Sequence, residues 1–92
     1  MQSERIKAAV VELLSAIGED PNRPELQSTP AKFAEAYSSF FRGIGVDPVS
    51  VIGETFPAEK SEFVILKDIE LVSMCEHHLL PFTGLAAVAY LP

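Results

Sequence analysis

The chain has a single cysteine, so no disulfide can form within it, and a reducing cytoplasm is the expected setting. Basic residues are also scarce: seven Lys and Arg stand against 13 Asp and Glu, for a formal net charge of −6. Arg5, Lys7, Arg23, Lys32, Arg42, Lys60 and Lys67 form no run. Nucleic acid and anionic membrane surfaces are held by clustered cations, so neither is an expected partner. The sequence reads as having neither a leader with a charged head and apolar core nor an apolar run long enough to span a bilayer, so neither secretion nor membrane insertion is expected. Internal repeats and low-complexity tracts are absent too.

What is present is globular. Apolar residues make up 48% of the 92, enough for one small domain. A chain this short buries a smaller share of its surface than a larger domain, and a lone hairpin is marginal in water. Partner chains are therefore expected.

From Ser3 to Ile17 the apolar residues Ile6, Ala9, Val10, Leu13, Leu14 and Ile17 recur at helical spacing. The pattern predicts a helix over 3–17, capped by Ser3 and stopped by a left-handed Gly18. Glu19 to Pro24, with two prolines and an asparagine, reads as a connector. Thr29 followed by Pro30 predicts a second helix start, with the Thr29 hydroxyl as cap and Pro30 at a position whose amide would be unsatisfied anyway. That helix is expected over 29–42, through Phe33, Ala36, Tyr37, Phe40 and Phe41, and to end at Gly43. Its aromatic stripe reads as core or subunit contact rather than a stacking platform for bases.

Gly45, Pro48, Gly53 and Pro57 mark 43–62 as loop-like, with Val49 to Ile52 either a short helix or simply packed down. Phe63 to Val72, reading FVILKDIELV, predicts a strand, and Phe82 to Leu91 a second one holding Gly84 and three alanines. The two should pair antiparallel, with Cys75 to Pro81 as the bend between them.

That bend carries the chemistry. The stretch SMCEHHLLPFTG, Ser73 to Gly84, holds the only cysteine and both histidines. Cys75 and His78, three apart, offer a thiolate and an imidazole, a borderline-soft pair suited to zinc. Adjacent side chains on extended backbone point to opposite faces, which leaves His77 free to act as acid or base beside a metal. Glu76 adds a carboxylate. The plainer alternative is a buried cysteine packing as a small hydrophobe beside solvated histidines.

Two blocks, LVSMCEHHLLPFTG (71–84) and IGEDPNRPELQSTPAKFAEAY (Ile17 to Tyr37), resemble the GTP cyclohydrolase I family in order and spacing. The resemblance runs from Leu13 to Pro92 and covers the N-terminal half of such proteins. It implies a zinc-dependent hydrolase that opens the imidazole ring of GTP at C8, releases formate and rearranges the ribose to give 7,8-dihydroneopterin triphosphate, the first step of tetrahydrofolate and pterin biosynthesis. Carried over by position, Cys75 and His78 would be zinc ligands and His77 the catalytic acid or base. The family's second cysteine ligand, its guanine pocket and most of its triphosphate clamp lie in the C-terminal half.

The implied fold is α+β. Residues 1–57 would form an N-terminal helical segment, and 58–92 the first antiparallel hairpin of a catalytic tunnelling-fold domain. That fold is completed by the C-terminal half and by neighbouring subunits, in a homo-oligomer with shared active sites. Departures from the family pattern are Lys32 in place of arginine, Pro24 and Glu25 in place of glutamate and glycine, and Leu85 and Ala87 in place of lysine and histidine; none touches the CEHH tetrad. The expected reading is an N-terminal half of the enzyme, inactive alone. The alternatives are a split enzyme with its other half on a separate chain, or a non-catalytic module for binding or zinc-bridged oligomerisation.

Overall fold

A computed structural model describes all residues, Met1–Pro92. Helix α1 spans Ser3–Ala16, a short 3-10 turn Pro24–Leu26, α2 Thr29–Phe40 and α3 Pro48–Ile52; strand β1 spans Val64–Met74 and β2 Pro81–Tyr90. The expected α+β order of helices followed by an antiparallel hairpin is what is found. The chain divides by packing into two compact units, Met1–Arg42 and Gly43–Pro92. Segment 43–57, grouped with the helices in the sequence reading, thus packs as part of the hairpin unit. None of the helices is long and apolar enough to cross a membrane.

In the first unit α1 packs on α2. The two buried side chains are Val10 and Ala34, with Ile6, Lys7 and Leu14 half-buried on α1 and Phe33, Tyr37, Phe40 and Phe41 on the second helix side. The buried stripe is narrower than the apolar one: Leu13 and Ile17 are 52% and 69% exposed, and Ala34 rather than Ala36 faces inward. Tyr37 organises the aromatic stripe, stacking on Phe33 at 3.9 Å between centroids and meeting Phe41 at 5.5 Å and Phe40 at 5.9 Å. Such pairs add to what area burial alone contributes.

Helix ends depart from expectation in instructive ways. Gly18 is left-handed, with φ +91, and closes α1 by donating to the Ser15 carbonyl at 3.0 Å while Glu19 donates to Leu14 at 2.9 Å. This is a Schellman closure, as expected of that glycine. Ser3, however, does not cap α1: it lies inside the helix, and the Gln2 carbonyl accepts from the amides of Arg5 and Ile6. Nor does Thr29 cap α2. A cap residue needs extended backbone, but Gln27 (φ −61, ψ −33) and Ser28 (φ −87, ψ −8) are already near-helical, so the turn runs straight into α2 with Thr29 inside. The end of α2 also shifts: the helix stops at Phe40, Gly43 is not left-handed, and the positive φ of +78 falls on Gly45.

The second unit opens with α3, where the sequence left a short helix as one option. Asp47 caps it, its Oδ1 accepting from the Val49 amide at 3.0 Å, with Pro48 in the first turn. The hairpin then runs in register from Val64 opposite Tyr90 to Met74 opposite Pro81. β1 extends two residues beyond its expected end at Val72, up to the cysteine itself. The register slips between Leu66, opposite Val88, and Ile69, opposite Ala86, so Lys67 and Asp68 together face Ala87. Asp68 takes φ 56 to make this bulge, a conformation aspartate tolerates better than most residues. Large apolar residues stay exposed along both strands, among them Leu66 and Leu85.

Candidate metal centre

The site grows out of the last rung of the hairpin. Beyond Met74 and Pro81, residues 75–80 connect β1 to β2. The Cys75 amide donates to the Leu80 carbonyl at 2.9 Å, and the Leu79 amide donates to the Cys75 carbonyl at 2.8 Å. The second bond, from residue i+4 back to residue i, curls Cys75 to Leu79 into a single helical turn. Residues three apart on such a turn share a face. Cys75 Sγ accordingly lies 3.4 Å from His78 Nδ1.

That separation fits one metal ion between the pair. A tetrahedral zinc with Zn–S of about 2.3 Å and Zn–N of about 2.0–2.1 Å holds sulfur and nitrogen about 3.6 Å apart. Cys75 is half-buried and His78 exposed, so the thiol is sheltered while the imidazole edge stays open to solvent. The chain supplies only this pair. No group of three or more His, Cys, Asp or Glu side chains comes together in a way that could hold a metal.

His77 and Glu76 stand apart from the pair. Both are largely exposed, at 81% and 88%, and His77 Nε2 lies 3.9 Å from Glu76 Oε1, beyond hydrogen-bond distance. The backbone here is a helical turn rather than extended, so successive side chains diverge by about 100° and not 180°. The geometric premise that set His77 aside is therefore corrected.

Lys7 pairs with Glu4 at 2.7 Å within α1, and Arg23 with Glu19 at 2.8 Å in the connector that follows it. What sequence reading missed is Leu79, whose φ of 54 turns the chain back from the helical turn toward β2. A leucine gives no warning of a left-handed backbone, so no local signal could have revealed it.

Helices leading into an antiparallel hairpin, with a thiol–imidazole pair at the hairpin's closed end, define an α+β protein whose chemistry is gathered at one end of a sheet. Residues 6–92 match the sequence model of the family described as GTP cyclohydrolase I, and the chain belongs to that family. Its hairpin is accordingly part of that family's tunnelling fold.

Among similar proteins, the GTP cyclohydrolase 1 of Leifsonia xyli subsp. xyli is 56% identical over 90 residues, 96% of this chain and 47% of the relative. That of Desulforamulus reducens is 54% identical over 88 residues, covering 96% and 47%. That of Corynebacterium aurimucosum is 51% identical over 89 residues, covering 97% and 45%. The chain spans about half the length of the curated relatives it matches.

Proposed function

We propose that these 92 residues carry one part of a zinc-dependent GTP cyclohydrolase I active site, in a protein that hydrolyses the imidazole ring of GTP and yields 7,8-dihydroneopterin triphosphate and formate. The observation that carries this reading is the 3.4 Å approach of Cys75 Sγ to His78 Nδ1 at the end of the hairpin, within a family match to enzymes of that name. Cys75 and His78 would hold the ion. Bound zinc supplies Lewis acidity, making water acidic enough to attack near neutral pH. His77, exposed beside the pair, would be the group that carries protons to and from the substrate, a reading its exposure supports. Residues 58–92 then form the first hairpin of the catalytic domain.

Two donors do not complete a catalytic zinc site, which ordinarily has three protein ligands. The family resemblance assigns the next ligand, the guanine pocket and the rest of the phosphate clamp to the C-terminal half, with sites shared between copies in a homo-oligomer. The 92-residue chain alone should show no formate release from GTP. The same chain extended to the length of its relatives should show it; turnover by the short chain would remove the need for any further ligand.

A second reading follows from the donor count. Two copies together present two thiols and two imidazoles, a set that closes a structural zinc site. Zinc-dependent dimerisation of the short chain, reversed by a chelator and lost in Cys75→Ala, would favour this module over a half-site.

A further inference from the structure

The turn that holds the metal pair breaks a local rule. The bond from the Leu79 amide to the Cys75 carbonyl, 2.8 Å, is the closure that ends a helix, with residue 79 in the position a glycine usually takes. α1 obeys the rule, with Gly18 at φ +91; the turn does not, with Leu79 at φ 54. A left-handed backbone is disfavoured for a residue with a Cβ, by about 5- to 30-fold in population. Strain of this kind persists where its surroundings over-determine it, and it gathers at binding sites.

Here the surroundings are visible. Met74 and Pro81 fix the two ends of the loop as the last rung of the hairpin, and the Cys75 amide is tied to the Leu80 carbonyl at 2.9 Å. Pro81 in turn biases Leu80 toward extended backbone, which launches β2. Between these anchors, the chain can curl 75–78 into one helical turn only if residue 79 reverses hand. Without that reversal the Leu80 carbonyl would not return to the Cys75 amide, and the curled turn would not fit between the two strands.

We infer that the left-handed backbone at Leu79 is the positioning element of the metal pair: it returns the chain from the helical turn to the last rung of the hairpin, where the Leu80 carbonyl meets the Cys75 amide, and so lets the curled turn keep the Cys75–His78 separation, with the leucine side chain secondary. The inference rests on Cys75 and His78 being metal ligands. It makes an unusual demand on substitution. Leu79→Gly enters the left-handed region without steric cost and keeps the pair, although the side chain is removed. Leu79→Val keeps an apolar side chain but adds a branch at Cβ, which makes a positive φ an outlier.

The test is a cobalt(II) titration of the chain extended to the length of its relatives, so that the remaining ligand is present, and of both variants in that form, read by the thiolate-to-cobalt charge-transfer band and the intense d–d bands of tetrahedral cobalt. Amide hydrogen exchange at positions 75 and 79 is followed in the metal-free chain. Leu79→Gly should bind cobalt as tightly as the parent or tighter, with both amides protected. Leu79→Val should bind about tenfold more weakly and lose protection at position 75, whose partner is the Leu80 carbonyl. The reverse order, valine tolerated and glycine weakened, would overturn the inference in favour of side-chain packing. Equal amide protection in the two variants would overturn it as well. A parent chain without the charge-transfer band, or one whose band survives Cys75→Ala, contradicts the underlying metal assignment instead, and the amide comparison then judges the turn separately.

Discussion

Gly18 and Gly43 look alike in sequence, each following an apolar helical stretch, yet they do different work. A Cβ added at either meets nothing within 4 Å, so substitution there reports backbone preference and not packing. Gly18 sits at φ +91 and Gly43 outside the left-handed region. Gly18→Ala should therefore destabilise the helical unit by roughly 1 kcal/mol, the left-handed cost less the entropy gained by the unfolded chain. Gly43→Ala should be neutral to stabilising, by up to about 0.4–1 kcal/mol, because only the unfolded-state term remains. Urea midpoints of the two variants check the contrast; equal losses would mean that both glycines are needed for their hand. Asp68 makes the same point within a strand, since its φ of 56 is required by the bulge facing Ala87 and nothing in FVILKDIELV announces it.

At the scale of elements, the capping residues separate local chemistry from context. Asp47 accepts from the Val49 amide and starts α3, whereas Thr29, inside α2, makes no capping bond. Asp47→Ala should thus cost about 1 kcal/mol of local stability, visible as faster amide exchange over residues 49–52. Thr29→Ala should leave the thermal midpoint nearly unchanged, and a loss as large as that of a true cap would restore the hydroxyl to that role.

The helices, both strands and their antiparallel pairing are legible because period-3.6 and β-branched patterns act over many residues at once. The start of α2 at Thr29 is legible too, but not how it is made, since a preceding 3-10 turn had already committed Gln27 and Ser28 to near-helical backbone and left the Thr29 hydroxyl without a capping role. Cys75 and His78 could be picked out by residue type, but the turn that brings them to 3.4 Å depends on Leu79, where propensity points the other way.

At the scale of the whole molecule, the hairpin carries an apolar surface that the 92 residues do not cover. Leu66 and Leu85 are 63% and 68% exposed, and β2 has no charged side chain along its length. Uncharged strand edges and open apolar faces associate readily. The short chain should self-associate as its concentration rises, seen by sedimentation, and Leu85→Lys should shift that association to higher concentration. A strictly monomeric chain at all concentrations would mean that the exposed face is tolerated in water.

The central claim is that Cys75 and His78 hold the metal of a GTP cyclohydrolase I site while His77 serves the proton transfers. Zinc content of purified protein, extended to the length of its relatives, tests it most directly when His77→Ala, His78→Ala and Cys75→Ala are compared with the parent. The account predicts nearly full zinc in His77→Ala, with turnover lowered by about 10² to 10⁴, and no zinc in the other two. A zinc-free His77→Ala beside a fully loaded His78→Ala would contradict it, and would exchange the roles of the two histidines.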